Sequence, residues 1–185
     1  MPRFSDKREK LLEAAKTLIH RQGFNETSLA DIAQASKVPL GNVYYYFKTK
    51  DDIASAVIGE RLADLKALHQ SLESAPNPKA RLRKMLDLLA EHHKEYAAHG
   101  CPVGSLCQEL NKKHTSLAKE ADQMLRLQIK WTAAQFRMLG KRDPRALAHH
   151  YIATMQGAAL LASTLNDCSV FTEQMGQLKI WLDTL

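Results

Sequence analysis

Residues 40–46 read Leu-Gly-Asn-Val-Tyr-Tyr-Tyr, and Lys48 and Lys50 follow. An asparagine can pair bidentately with adenine, and tyrosine hydroxyls and exposed backbone amides suit phosphates or base edges. Lysines just beyond such a helix would stand where a duplex backbone passes. Upstream, Thr27 and Ser28 place two hydroxyls beside a helix N-terminus, a natural seat for phosphate. Successive helical residues point about 100° apart, so Tyr44, Tyr45 and Tyr46 cannot all face one core. At least one must be open to a partner. The alternative is a pair of core helices with a tyrosine cluster packed between them. The candidate DNA contacts are therefore Thr27, Ser28, Leu40, Gly41, Asn42, Tyr44, Tyr45, Tyr46, Lys48 and Lys50.

The C-terminal two-thirds offers a different chemistry. His92, His93, Tyr96, Gln128, Trp131, Gln135 and Phe136 mix aromatic and polar side chains on two helices. Small-molecule pockets combine apolar walls with a few polar groups in this way, and so does an ordinary core with amphipathic edges. Cys101 lies between Gly100 and Pro102, just before a short helix beginning near Gly104 and two residues from His99. A thiol so placed can be activated toward electrophiles or oxidants; a structural cysteine is the other reading. His93, Tyr96, Cys101, Gln128, Trp131, Gln135 and Phe136 are the candidate effector contacts.

Metal chemistry is less well served. His92, His93, His99, Cys101, Cys107 and His114 are possible ligand types, but they lack CxxC or HxxxH spacing, and His149-His150 point to different helix faces. There is no glycine-rich phosphate loop, GxSxG elbow or HExxH pair to suggest an enzyme. No metal and no cofactor are expected.

Helical periodicity runs through the elements that must hold these residues, and no alternating strand pattern interrupts it. A first helix should start near Ser5 or Asp6, bury Leu11, Leu12, Ala15, Leu18 and Ile19, and stop at Gly23. A second follows Thr27-Ser28, with Leu29, Ile32 and Ala33 inward. Lys37-Val38-Pro39 ends it, because the residue before proline is pushed out of helical geometry. A third covers about 41–47 and a fourth runs from Asp51 to about Ser74. Asn77 should cap and Pro78 open a fifth, reaching His99 and ending at Gly100. A short helix through Leu110 comes next, then one capped by Thr115 or Ser116 that ends near Leu139-Gly140. Asp143-Pro144 opens another to Leu165, and the last spans 171–183. About nine helices make an all-α protein, with a DNA-binding domain over 1–50 and a ligand-binding and dimerisation domain over 51–185.

Charge agrees with that division. The 185 residues carry a formal charge of +6, and the first fifty hold nine Lys/Arg against five Asp/Glu. The positive excess lies where an anionic partner would be met. Hydrophobic residues at 45% and charged ones at 25% are ordinary globular proportions, which excludes a disordered or fibrous chain. Three irregularly spaced cysteines make no disulfide framework, and no apolar run suits a signal segment or a membrane span. The cytoplasm is the expected compartment and no membrane partner is expected.

Phe24-x-x-Thr27-Ser28-Leu29-x-x-Ile32-Ala33, followed by Val38, Val43-Tyr44, Tyr46-Phe47, Lys50 and Ile53, resembles the signature of the TetR family. The resemblance is dense over residues 8–55. It implies a helix-turn-helix joined by a long fourth helix to a helical effector domain, and a repressor that leaves double-stranded operator DNA when a small molecule binds. It also implies a homodimer formed through the last two long helices, residues about 144–185. In this chain the segment Tyr151–Ala162, rich in small residues, and the stripe Leu178, Trp181, Leu182, Leu185 are the candidates for that contact. The resemblance places Leu40 to Asn42 and Tyr44 to Tyr46 at DNA-facing positions, and Lys50 at a phosphate-binding one. Leu40-Gly41 departs from frequent members by offering no polar side chain, and Tyr46 stands where histidine is frequent. The loop from Gly100 to Leu110 is similar to that of a subgroup that includes electrophile- and oxidant-responsive repressors, which implies Cys101 as a sensor.

Overall fold

A computed structural model describes residues 3–112 and 116–185. Among these residues there are helices and no strand. They are α1 (Arg3–Gln22), α2 (Leu29–Ser36), α3 (Leu40–Tyr46), α4 (Lys50–Leu72), α5 (Pro78–Glu91), α6 (His93–His99), α7 (Gly104–Asn111), α8 (Ser116–Met138), α9 (Pro144–Leu165) and α10 (Cys168–Thr184). The helix expected over 78–99 is parted at His92. There the backbone turns to φ −98°, ψ 18°, and the His92 N–H bonds to Leu89 O, one residue short of the α-helical partner. With α5 and α6 counted as one kinked helix, the described chain has the nine expected. The expected cap Thr115 and the candidate ligand His114 lie outside the described residues.

The chain forms two compact units. One comprises Met1–Leu62 with Ser105–Gln123, the other Ala63–Gly104 with Met124–Leu185. The division is spatial: the first unit takes the start of α4, nearly all of α7 and the start of α8 along with the first fifty residues.

In the first unit α1 buries Leu11, Leu12, Ala15 and Ile19, and Phe24 turns back into the interior after Gly23. Gly23 ends α1 at φ +88°, a conformation that disfavours a side chain. Ser28 accepts from the Asp31 N–H at 3.1 Å while Asp31 accepts from the Ser28 N–H at 2.8 Å. This capping box fixes where α2 begins. Its end differs in mechanism from the expectation. Lys37 adopts a left-handed conformation (φ 57°) and its N–H bonds to Gln34 O, while the Val38 N–H bonds to Ala33 O. The helix is thus closed by a left-handed cap one residue before the pre-proline position. A second capping box joins Thr49 and Asp52 at the start of α4.

The second unit has its own core, in which α10 packs on α9, α5 and α6. Asn77 and Asp143 cap α5 and α9 by accepting from Ala80 N and Ala146 N, each with proline at the first turn. The inner face of α9 carries Ala148, Tyr151, Ile152, Met155, Ala158, Ala159 and Ala162, all buried. Leu178 and Leu182 of α10 are buried in this core and Trp181 and Leu185 pack against it, so the stripe expected to serve a partner faces inward. Tyr151 is fully buried and donates its hydroxyl to Leu82 O at 2.8 Å. Burial, with the Asp87 charge adding to it, raises this phenol's pKa well above the ordinary range. Replacing Tyr151 by Phe removes that bond and is expected to cost about 1 kcal/mol. For a chain of this size that is a fall in melting temperature of about 2–4 °C by calorimetry; an unchanged melting temperature would show that the bond contributes nothing.

Candidate DNA-recognition surface and effector site

The seven residues of α3 divide cleanly by their surroundings. Val43 is wholly buried and Phe47, just beyond the helix, is 4% exposed. Leu40, Tyr44 and Tyr45 face outward at 40%, 48% and 66% exposure, which is far too open for an internal tyrosine cluster. Tyr46 is half-buried and meets Tyr45 edge to face at 5.0 Å. Asn42 is half-buried. A Cβ added at Gly41 would meet nothing within 4 Å. The protein's own packing does not require glycine there, so its smallness matters only to something outside.

The residues flanking α3 show how it is held. Lys50 donates to Asn25 O at 2.8 Å and lies 4.5 Å from the Phe24 ring centroid, and Arg8 lies 5.5 Å from the ring centroid of Phe47. These cations bind aromatic faces as well as offering charge outward. Lys48 is exposed. Thr27 is a correction. It is 1% exposed and its hydroxyl donates to Gly23 O at 2.7 Å, so it braces the turn before α2 and offers no hydroxyl to a phosphate. Ser28 is exposed, with its hydroxyl donated to Asp31. Those bonds from Ser28 hold the Asp31 carboxyl below the usual carboxylate range.

Sequence reasoning missed an adjoining feature. An open cleft of about 590 Å³ is lined by Lys7, Lys10, Lys37, Asp6 and Tyr46 among others. Lys10 is paired with Asp6 at 2.8 Å. Lys7 and Lys37 bring positive charge to the side of α3, on residues whose only signal in the sequence was the excess of lysine and arginine before residue 50.

In the second unit the candidate effector residues fall into separate places. Phe136 is fully buried, edge-on to Tyr151 and Trp181 at 6.3 and 5.8 Å; it is a core residue with no face left for a ligand. Tyr96 stacks on Phe171 at 4.4 Å and belongs to the same apolar cluster. His93 is half-buried, with Nδ1 2.8 Å from Ala90 O. Cys101 is half-buried, and its Sγ accepts from Gly104 N and Gln156 Nε2, each at 3.4 Å. A Cβ at Gly104 would come within 2.1 Å of Gln156 Oε1, so a side chain there would make the Gln156 amide shift. Among the described residues no group of three His, Cys, Asp or Glu could hold a metal.

Gln128, Trp131 and Gln135 do come together, and with them residues the sequence did not single out. Gln128, Thr132 and Gln135 are buried on one face of α8. The His69 ring, on α4, lies parallel to Trp131 at 4.6 Å, and Arg81, on α5, donates to Gln135 Oε1 at 3.4 Å. Buried His69 Nε2, Arg81 Nε and Trp131 Nε1 have no hydrogen-bond partner. His69 could have been found from its register: Leu65, His69 and Leu72 share a helical face, and a histidine on a buried stripe is a notable departure.

Burial lowers the His69 pKa from 6.5 to about 4. Between those values the unfolded chain binds a proton that the folded one does not, so stability is intact above pH 6.5 and falls as pH drops toward 4. The loss is on the order of 3 kcal/mol. His69→Gln is expected to flatten that part of the stability–pH curve in urea unfolding; a parallel curve would exclude His69 as its source.

The chain is similar to known proteins over most of its length. Residues 11–57 match the family described as bacterial regulatory proteins, tetR family. Residues 78–176 match the C-terminal domain described as transcriptional regulator LmrA/YxaF-like. An HTH-type transcriptional regulator in the lacX 3′ region of Lactococcus lactis subsp. lactis is 30% identical, over 93% of this chain and 91% of that protein. The HTH-type transcriptional regulator LmrA of Bacillus subtilis is 26% identical over 87% and 88%. A crystal structure of a TetR-family transcriptional regulator from Agrobacterium tumefaciens superposes with a TM-score of 0.87 at 24% identity, covering 98% of each chain. These relatives are transcriptional regulators.

Proposed function

Because the chain belongs to the TetR family of bacterial regulatory proteins, we propose that it is a cytoplasmic repressor that holds operator DNA as a homodimer and is released by a small-molecule effector. The observation that carries this reading is the outward face of α3, where Leu40, Tyr44 and Tyr45 are open to solvent beside lysines. Asn42 is the adenine reader, Leu40 and Gly41 approach thymine methyls or backbone, and Lys37, Lys48 and Lys50 meet phosphates. The DNA-binding domain is centred on residues 1–50, and residues 51–185 sense and dimerise.

The outer face of α9 and α10 supports the dimer. Leu160, Leu161 and Leu165 of α9 and Ile180 of α10 are 60%, 49%, 61% and 59% exposed. Ala153, Gly157, Leu160, Leu161 and Thr164 lie along one stripe of α9 whose small members permit close helix approach. A two-fold axis through residues about 144–185 would present two copies of α3 to half-sites about 34–36 Å apart. The effector favours a state in which that spacing changes, by no more than its affinity difference between the two states. No described helix is long and apolar enough to cross a membrane.

In mobility-shift titrations against the chain's own promoter, Asn42→Ala is expected to lose about 1–3 kcal/mol of binding and to relax preference at one base pair. Lys37→Ala should weaken binding to any duplex and reduce the salt slope by about one ion. A wild-type chain that shifts no promoter DNA at low salt would defeat the reading.

A second route to release is favoured by the two N–H groups directed at Cys101 Sγ. Addition of the thiol across the double bond of N-ethylmaleimide forms one S–C bond and returns the proton to the neighbouring carbon, with no oxidant needed. Loss of the Gln156 contact would then be the trigger. Wild type treated with the maleimide is expected to leave DNA and Cys101→Ser to stay bound; equal release would remove Cys101 from the mechanism.

A further inference from the structure

The buried polar face of α8 carries more information than the presence of an effector site. Resting on the effector-released reading above, we infer that His69, Arg81 and Trp131 form the acid-recognition end of that site, and that its ligand is a small organic carboxylate with an apolar or aromatic body.

His69 is 5% exposed, and its Nε2, the Arg81 Nε–H and the Trp131 Nε1–H are buried without a partner. The Arg81 Nε–H and Trp131 Nε1–H are donors in every state, and a buried donor left unmade is costly; the neutral His69 ring can add a third in the tautomer that carries its proton on Nε2. Arg81 and Trp131 can only donate. Arg81 touches two carbonyl oxygens, Gln135 Oε1 and Glu73 O, both at 3.4 Å. No carboxylate pairs with it among the described residues, so a partly buried guanidinium stands without a counter-charge. Two exposed cations of the same unit are paired, Arg83 with Asp183 and Lys179 with Asp87.

A carboxylate answers all of these needs at once. It supplies only acceptors, enough for two or three N–H groups, and it neutralises the guanidinium. A primary amide would turn its own NH₂ toward donors, and an amine would add a second cation beside Arg81. The rest of the ligand would meet the parallel His69–Trp131 pair. An apolar or aromatic body suits those surfaces.

The test is isothermal titration of the full chain with benzoate, benzamide, benzylamine and inorganic phosphate, with the mobility shift run alongside. Benzoate is expected to bind and to release promoter DNA, benzamide to bind at least about tenfold more weakly, and benzylamine and phosphate not to displace benzoate. Arg81→Gln should lose about tenfold or more for benzoate and narrow the gap between acid and amide. Trp131→Phe, which keeps an aromatic ring but deletes the N–H, should weaken benzoate by several-fold. Benzamide binding as well as benzoate, unchanged benzoate affinity in Arg81→Gln, displacement by phosphate at equal concentration, or no benzoate binding at about 10 mM would each overturn the assignment. If DNA is bound and then released by the amide or the amine, the repressor reading stands and the carboxylate falls. If DNA is never bound, the failure lies with the repressor reading.

Discussion

The DNA-facing unit depends on one carboxylate. Glu109, on α7, accepts the N–H groups of Phe24 and Asn25 at 2.7 and 2.6 Å, short charge-assisted bonds that use both of its oxygens. From α4, Lys50 reaches the same turn, donating to Asn25 O and lying over the Phe24 ring. The link between α1 and α2 is therefore gripped by an anion and a cation that are far apart in sequence. Gly23 completes the arrangement, because a Cβ there would come within 3.2 Å of Glu109 Oε2. The orientation of α2, and of α3 packed on it, follows from that grip. It also explains why α7 belongs spatially with the first fifty residues.

The second unit solves a different problem. Most of its interior is conventional apolar packing of α5, α6, α9 and α10 around Tyr151 and Phe136. The polar face of α8 breaks that pattern, placing two glutamines and a threonine where leucine would stabilise more simply. The same contrast separates Phe136 from Trp131: both are large aromatics on one helix, but one has every face covered and the other keeps an unpaired N–H.

Much of the helix layout was legible in the sequence because local chemistry dictates it. Asn77-Pro78 and Asp143-Pro144 are caps whose meaning does not depend on distant residues, and each holds in the structure. Helical geometry required that at least one of Tyr44, Tyr45 and Tyr46 be exposed, and Tyr44 and Tyr45 are. Long-range pairings were not legible. Nothing local marks Glu109 as the partner of residue 24, or places Arg81 beside Gln135, since those contacts span 85 and 54 residues. Thr27 was misread for a related reason: a hydroxyl before a helix suits a phosphate and a neighbouring carbonyl equally well, and only the turn at Gly23 decides. The stripe on α10 had the right period, but period alone does not say whether a partner helix belongs to the same copy.

Lys37 is one of two non-glycine residues among those described with a positive φ, and it lines the cleft beside α3. A side chain in that region is typically disfavoured by about 1 kcal/mol. Glycine would relax the joint between α2 and α3 and forfeit the cation at the rim of the recognition surface. The position thus trades folding stability for charge, and stabilising the fold here would come at the expense of grip on an anion.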